Sequence, residues 1–177
     1  DNGVYLITGG AGGLGLIFAE EIARRANHPV LILTGRSEPG SDKKARIDEL
    51  KHTGARVAFM QSDVARKADA VKLIQCIVRD YGGLNAVVHS AGIIRDNFII
   101  KKTTAEFEAV LAPKVAGMTN LDEASKGLKL DFFIAFSSGA GAVGNTGQAD
   151  YACANAFMDA YAVYRNDQVG RGKRKGK

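Results

Sequence analysis

A chain of 177 residues, 46% hydrophobic and 24% charged, is long enough to bury one core without disulfide or metal staples, and its composition excludes collagen, wholesale disorder and a disulfide scaffold. The net charge of +5 does not mark a nucleic-acid binder: the run Arg171-Gly172-Lys173-Arg174-Lys175-Gly176-Lys177 holds five of the 24 bases, leaving 19 bases against 19 acids, and is expected to be a solvated loop or frayed end. No apolar run approaches the ~20 residues of a membrane span, Asp1-Asn2-Gly3-Val4 lacks a signal-peptide pattern, and Cys76 and Cys153 make no metal spacing, so a cytoplasmic chain with reduced core thiols, no metal and no membrane is expected.

Short apolar, β-branched runs alternate with longer segments of helical period. In chain order, strands are predicted over Val4 to Thr8, Val30 to Thr34, Val57 to Gln61, Ala86 to Ser90 and Phe132 to Ser137. The helices between and after them run over Leu14 to Ala26, Lys43 to Thr53, Arg66 to Tyr81, Thr104 to Lys126 and Tyr151 to Arg165. Strands apolar throughout need cover on both faces. The order predicts an α/β fold, a doubly wound parallel sheet of the Rossmann type with right-handed crossovers, forming a single domain over residues 1–177.

The first strand runs into Thr8-Gly9-Gly10-Ala11-Gly12-Gly13-Leu14-Gly15 and then a helix. Gly10, Gly12 and Gly15 satisfy G-x-G-x-x-G, which serves a tight turn, close approach of a pyrophosphate to bare backbone, and close helix-to-strand packing. The helix start offers free N–H groups and a positive dipole end to phosphates. About 20 residues further on, an NAD enzyme places an acid for the ribose 2′-hydroxyl and an NADP enzyme a base for the 2′-phosphate. Here the residues are Thr34-Gly35-Arg36-Ser37, with no carboxylate before Glu38, so NADPH is the expected cofactor. Asp63, followed by Val64, either accepts from the adenine amino group or caps the next helix. The expected cofactor contacts are Thr8, Gly9, Gly10, Gly12, Gly13, Leu14 and Gly15, then Arg36, Ser37, Asp63 and Val64, then Ser90, Ala91 and Gly92 after the fourth strand.

The fourth strand ends in His89-Ser90-Ala91-Gly92, and the fifth in Ser137-Ser138-Gly139-Ala140-Gly141, with Tyr151-Ala152-Cys153-Ala154-Asn155 following. Over nearly its whole length the chain resembles the short-chain dehydrogenase/reductase superfamily, and more narrowly the ketoreductase domain of modular polyketide synthases. T-G-x-x-x-G-x-G is met by Thr8, Gly9, Gly13 and Gly15, and Ser138 lies 13 residues before Tyr151. The superfamily's usual Tyr-x-x-x-Lys is here Tyr151-x-x-x-Asn155. Polyketide ketoreductases share this swap and take the lysine from the preceding long helix, 24 residues before the serine, which is Lys114.

The resemblance implies a catalytic set of Tyr151, Ser138, Lys114 and Asn155. Hydride delivery to a ketone builds negative charge on oxygen, which needs a hydrogen bond and a proton. Tyr151 is the implied proton donor and Ser138 the second hydrogen bond. Lys114 eases proton loss from a phenol of ordinary pKa near 10 and binds the nicotinamide ribose, while Asn155 orients the lysine or a relay water. The implied substrate is a β-ketoacyl thioester on an acyl carrier protein, among the other domains of a synthase. Polyketide ketoreductases giving the D (3R) alcohol carry Leu-Asp-Asp after the fourth strand; here the aligned residues are Ile94-Arg95-Asp96, with the last Asp kept. The opposite type carries a Trp eight residues before the tyrosine, where this chain has Val143. Both signs imply B-type reduction.

A complete ketoreductase of this kind has a structural subdomain before the first strand and two more strands with a lid helix after the basic run, so a C-terminally truncated catalytic subdomain is expected. Two other readings stand beside reduction. One is a free-standing short-chain dehydrogenase, disfavoured by the lysine swap. The other is a reductively silent or epimerising domain, which commonly loses part of the catalytic set.

Overall fold

In the computed structural model, which describes residues 2–177, the alternation read from the sequence is present; Asp1 lies outside the described residues. The elements are β1 (Val4–Thr8), α1 (Gly13–Arg25), β2 (Val30–Gly35), α2 (Ser41–Lys51), β3 (Arg56–Gln61), α3 (Lys67–Tyr81), β4 (Ala86–His89), a 3-10 turn (Ile99–Lys101), α4 (Thr104–Ser125), β5 (Phe132–Ala135), α5 (Gly139–Val143) and α6 (Ala149–Gly170). All strand pairs are parallel in the order β3-β2-β1-β4-β5. Thr8 is level with Thr34 on one side and His89 on the other. From β1 the chain winds outward to β2 and β3, then returns to place β4 on β1's other side. Connections therefore diverge between β1 and β4, and a crevice opens at their carboxyl ends.

Period-two alternation splits the strands between two cores. Leu6, Ile32 and Val87 face Leu73, Ile74 and Ile77 of α3, Met118 and Leu121 of α4, and Met158 of α6. Ile7, Leu31, Leu33 and Val88 face Leu16, Ala19 and Ala23 of α1 and Ile47 and Leu50 of α2. Helices thus cover both faces of the central strands. The outer strands depart from the expected double cover: both ends of β3 are exposed, and Ile134 on β5 is 39% exposed. Helix α4 starts from a reciprocal cap, in which the Thr103 hydroxyl accepts from the Glu106 N–H and the Glu106 carboxylate from the Thr103 N–H. Strands β4 and β5 stop earlier than their apolar runs, which releases Ser90, Ser137 and Ser138 into turns at the crevice.

Two further expectations are corrected. Cys153 is exposed and Cys76 only half-buried, so neither is a fully buried core thiol. Both lie on helices whose apolar pattern did not distinguish the inner face from the outer. The basic run is only in part a solvated end: Arg171, Lys173, Lys175 and Lys177 are exposed, but Arg174 is buried, and the backbone N–H of Phe133 donates to the Lys177 carbonyl at 3.0 Å, so the end of the run lies along β5. The cause is Asp122, a fully buried carboxylate on α4. It accepts from Arg165 Nε at 2.9 Å, Arg174 Nε at 3.1 Å and the Tyr161 hydroxyl at 3.0 Å. A carboxylate out of water demands such partners.

Asp122→Ala would leave the buried Arg165 guanidinium without its counter-charge and Arg174 with Glu123 alone. Urea unfolding of this variant should show a loss of about 3–5 kcal/mol; a loss under about 1 kcal/mol would contradict the role given to Asp122.

Candidate active site

The glycine loop forms as its spacing predicts. Gly9 turns the chain in the left-handed region at φ +63°, and a Cβ on Gly15 would sit 2.4 Å from the Gly9 carbonyl oxygen, so α1 can close onto the turn only without a side chain there. Gly10 serves the packing: its N–H donates to the Thr34 carbonyl at 3.1 Å beneath the loop. Among the described residues no side chain caps α1, and its first turn holds no acid. Its N–H groups and dipole are thus left facing a cleft of about 340 Å³, lined by Gly9, Gly12, Gly13, Leu14 and Gly15 together with Arg36, Ser37, Ser90 and Gly92. Thr8, Asp63, Val64 and Ala91 line an adjoining recess that also reaches Arg36. Among the described residues the Arg36 guanidinium has no ion-pair partner. A glycine cradle, an uncapped helix start and an unpaired exposed guanidinium fit the phosphates of a dinucleotide. Asp63 lines the recess but does not cap α3, whose N-cap is Arg66; its carboxylate accepts from the Ala65 N–H at 3.1 Å in the turn before that helix. A larger recess of about 630 Å³ runs from Arg36 and Asp63 down α3 to Asp80, and none of the four catalytic candidates lines it.

Those four come from three elements, and Lys114, Tyr151 and Asn155 are brought together. Ser138 caps α5, its hydroxyl accepting from the Ala140 N–H at 3.3 Å. Tyr151 and Asn155 lie one turn apart on α6. Lys114 comes from α4 and is 5% exposed. Its ammonium sits 5.5 Å from the centre of the Tyr151 ring, donates to the Phe136 carbonyl at 2.9 Å and approaches Met158 Sδ at 3.6 Å. Burial pushes its pKa down to about 8, against a weaker opposing pull from Asp159. Asn155 Nδ2 donates to the Tyr151 carbonyl at 2.7 Å, and its Oδ1 is buried without a partner among the described residues. Asp96 lies beyond β4 and accepts through both carboxylate oxygens from Gln148 Nε2 at 3.0 Å, three residues before Tyr151.

Sequence reasoning passed over His89. This fully buried ring receives the Thr8 hydroxyl at Nδ1 (2.7 Å) and donates from Nε2 to the Pro113 carbonyl (3.0 Å). Burial and then the Lys114 charge push its pKa down to about 4, so the ring is neutral and this tautomer follows. Gly117 admits the contact, because a Cβ there would lie 3.2 Å from His89 Cε1. A polar residue inside an otherwise apolar buried strand was the available signal. Lys102 and Asp150 were also missed.

Residues 3–172 match the family model of the KR domain. The chain is 59% identical to polyketide synthase PksN of Bacillus subtilis over 169 residues, covering 96% of this chain and 3% of that protein. It is 56% identical to polyketide synthase PksL of the same organism, covering 100% of this chain and 4% of that protein. The crystal structure of a ketoreductase domain from the bacillaene assembly line superposes with a TM-score of 0.97 at 50% identity, covering 99% of this chain and 42% of that one. The chain thus spans a few per cent of the length of these curated relatives.

The neutral His89 gives a signed pH dependence. Its folded pKa of about 4 lies below the unfolded value near 6.5, so its contribution is full above pH 6.5 and is lost as pH falls towards 4. The loss amounts to about 3 kcal/mol. Urea midpoints across that window should fall more steeply for the wild type than for His89→Gln; parallel curves would contradict the neutral assignment.

Proposed function

The chain belongs to the KR domain family, and from that premise we propose that it reduces a β-ketoacyl thioester, carried on the phosphopantetheine arm of an acyl carrier protein within a polyketide synthase, to the β-hydroxyacyl thioester. The observation that carries this reading is Lys114, a buried ammonium beside the Tyr151 ring with no carboxylate partner among the described residues.

NADPH, bound along the glycine loop with its 2′-phosphate at Arg36 and Ser37, would supply the hydride. Ser138 Oγ hydrogen-bonds the substrate oxygen as negative charge grows there, and the Tyr151 hydroxyl gives that oxygen its proton. Proton loss from a phenol near neutral pH needs a cation close by. Lys114 provides it, held towards Tyr151 by the Phe136 carbonyl. The buried, unpartnered Oδ1 of Asn155 suits a water that returns a proton towards Lys114 and Tyr151. Asp96, tied to Gln148 beside the start of α6, supports B-type reduction to the D (3R) alcohol. Presence of the whole catalytic set weighs against a silent or epimerising domain, and the lysine from α4 against a free-standing dehydrogenase.

NADPH oxidation with a β-ketoacyl thioester, followed by chiral analysis, should give the 3R alcohol, and Tyr151→Phe should lose at least about 100-fold in kcat. A 3S product would overturn the role of Asp96; tight NADPH binding without turnover would overturn reduction itself.

The pH profile gives a separate check. Lys114 has a folded pKa near 8 and holds its charge below that value, so kcat/KM for reduction should fall as pH rises through about 8. In Lys114→Met that inflection should be missing on a lower baseline; the same inflection in both proteins would contradict the assignment.

A further inference from the structure

The segment between β4 and α4 has almost no apolar anchorage. Ile94, Phe98, Ile99 and Ile100 are 52%, 59%, 67% and 88% exposed. Polar contacts hold it instead. The Asn97 N–H donates to the Gly147 carbonyl at 2.9 Å, and Gln148 donates to Asp96. These contacts lie in the exposed rim. One contact of the segment is dry: Lys102 Nζ lies 2.7 Å from Asp150 Oδ2, with side chains 2% and 1% exposed, an ion pair by distance whose angles are not those of a hydrogen bond. The same ammonium donates to the Arg95 carbonyl, one residue before Asp96. The other oxygen of Asp150 accepts the backbone N–H of Tyr151 at 2.8 Å. A single buried pair therefore joins the backbone beside Asp96 to the backbone of Tyr151.

Burying two charges gains little stability, because desolvation offsets the attraction; the best-attested use of such a pair is to fix one arrangement over others. Here the competing arrangements are positions of an otherwise loosely held segment relative to the start of α6.

We propose that Lys102 and Asp150 are a positioning pair that fixes the Asp96 segment relative to Tyr151 and thereby sets which face of the substrate carbonyl is presented. The inference rests on the reductase reading above. Neither residue touches the cofactor cleft, so the pair acts on substrate placement and not on NADPH binding.

Lys102→Met alone would strand a buried carboxylate and endanger folding. The decisive variant is therefore the double substitution Lys102→Met with Asp150→Asn, which removes both charges while leaving an amide oxygen to accept from the Tyr151 N–H. In the full chain, this variant should raise KM for the thioester and lower the ratio of 3R to 3S product, each roughly tenfold, with the Kd for NADPH unchanged. Lys102→Arg, which keeps the charge, should restore most of the ratio. Amide hydrogen exchange over residues 93–102 should quicken in the double variant whether or not a substrate is turned over. Unchanged product ratio and KM in a folded double variant would overturn the proposal, as would a uniform fall in kcat and melting temperature without a change in ratio. If the wild type itself reduces nothing, the reductase reading fails separately, and unchanged hydrogen exchange then overturns the pair's positioning role on its own.

Discussion

A buried imidazole links the two halves of this site. His89 ends β4, accepts from Thr8 at the end of β1, and donates to Pro113, the residue before Lys114 on α4. Thr8 opens the glycine loop, so the cofactor cradle and the catalytic-candidate lysine share one hydrogen-bonded hub. The hub needs a neutral ring in a dry place, and Gly117 supplies the space for α4 to approach that closely. Helix α4 could not otherwise bring its lysine under the crevice where connections diverge between β1 and β4.

Charge burial recurs around this hub with different purposes. Lys114 has no counter-ion among the described residues and carries a lowered pKa, a state suited to chemistry. Asp122 is surrounded by Arg165, Arg174 and Tyr161, and joins α4, α6 and the basic run near β5. Burial and the neighbouring Asp122 raise the Tyr161 phenol above its ordinary range, so it stays a donor. Lys102 and Asp150 form the third case, at the rim between segment and helix.

Much of the site was legible because it is local in the chain. The glycine loop follows a buried strand and opens a helix, so its geometry is dictated within a dozen residues, and Arg36 stands just past the second strand. The parallel sheet followed from the alternation of element types. Lys114 was reachable only through resemblance, since no local pattern marks a lysine on a long helix as facing a tyrosine 37 residues later. The remaining features are long-range pairings. Nothing near Arg174 in the sequence announces Asp122, so the sequence alone does not separate Arg174 from its solvated neighbours. Cys153 was misjudged because α6 carries small and apolar residues on several sides, Val163 and Tyr164 among the exposed ones.

The constellation is proposed to move a hydride to a ketone. Its most direct test is to supply NADPH deuterated at the transferred position of the nicotinamide with a β-ketoacyl thioester, and to weigh the product. Deuterium on the β-carbon of a hydroxyacyl product is the predicted result. Recovery of the ketone with cofactor bound but its label untouched, or with exchange only at the α-carbon, would contradict the claim.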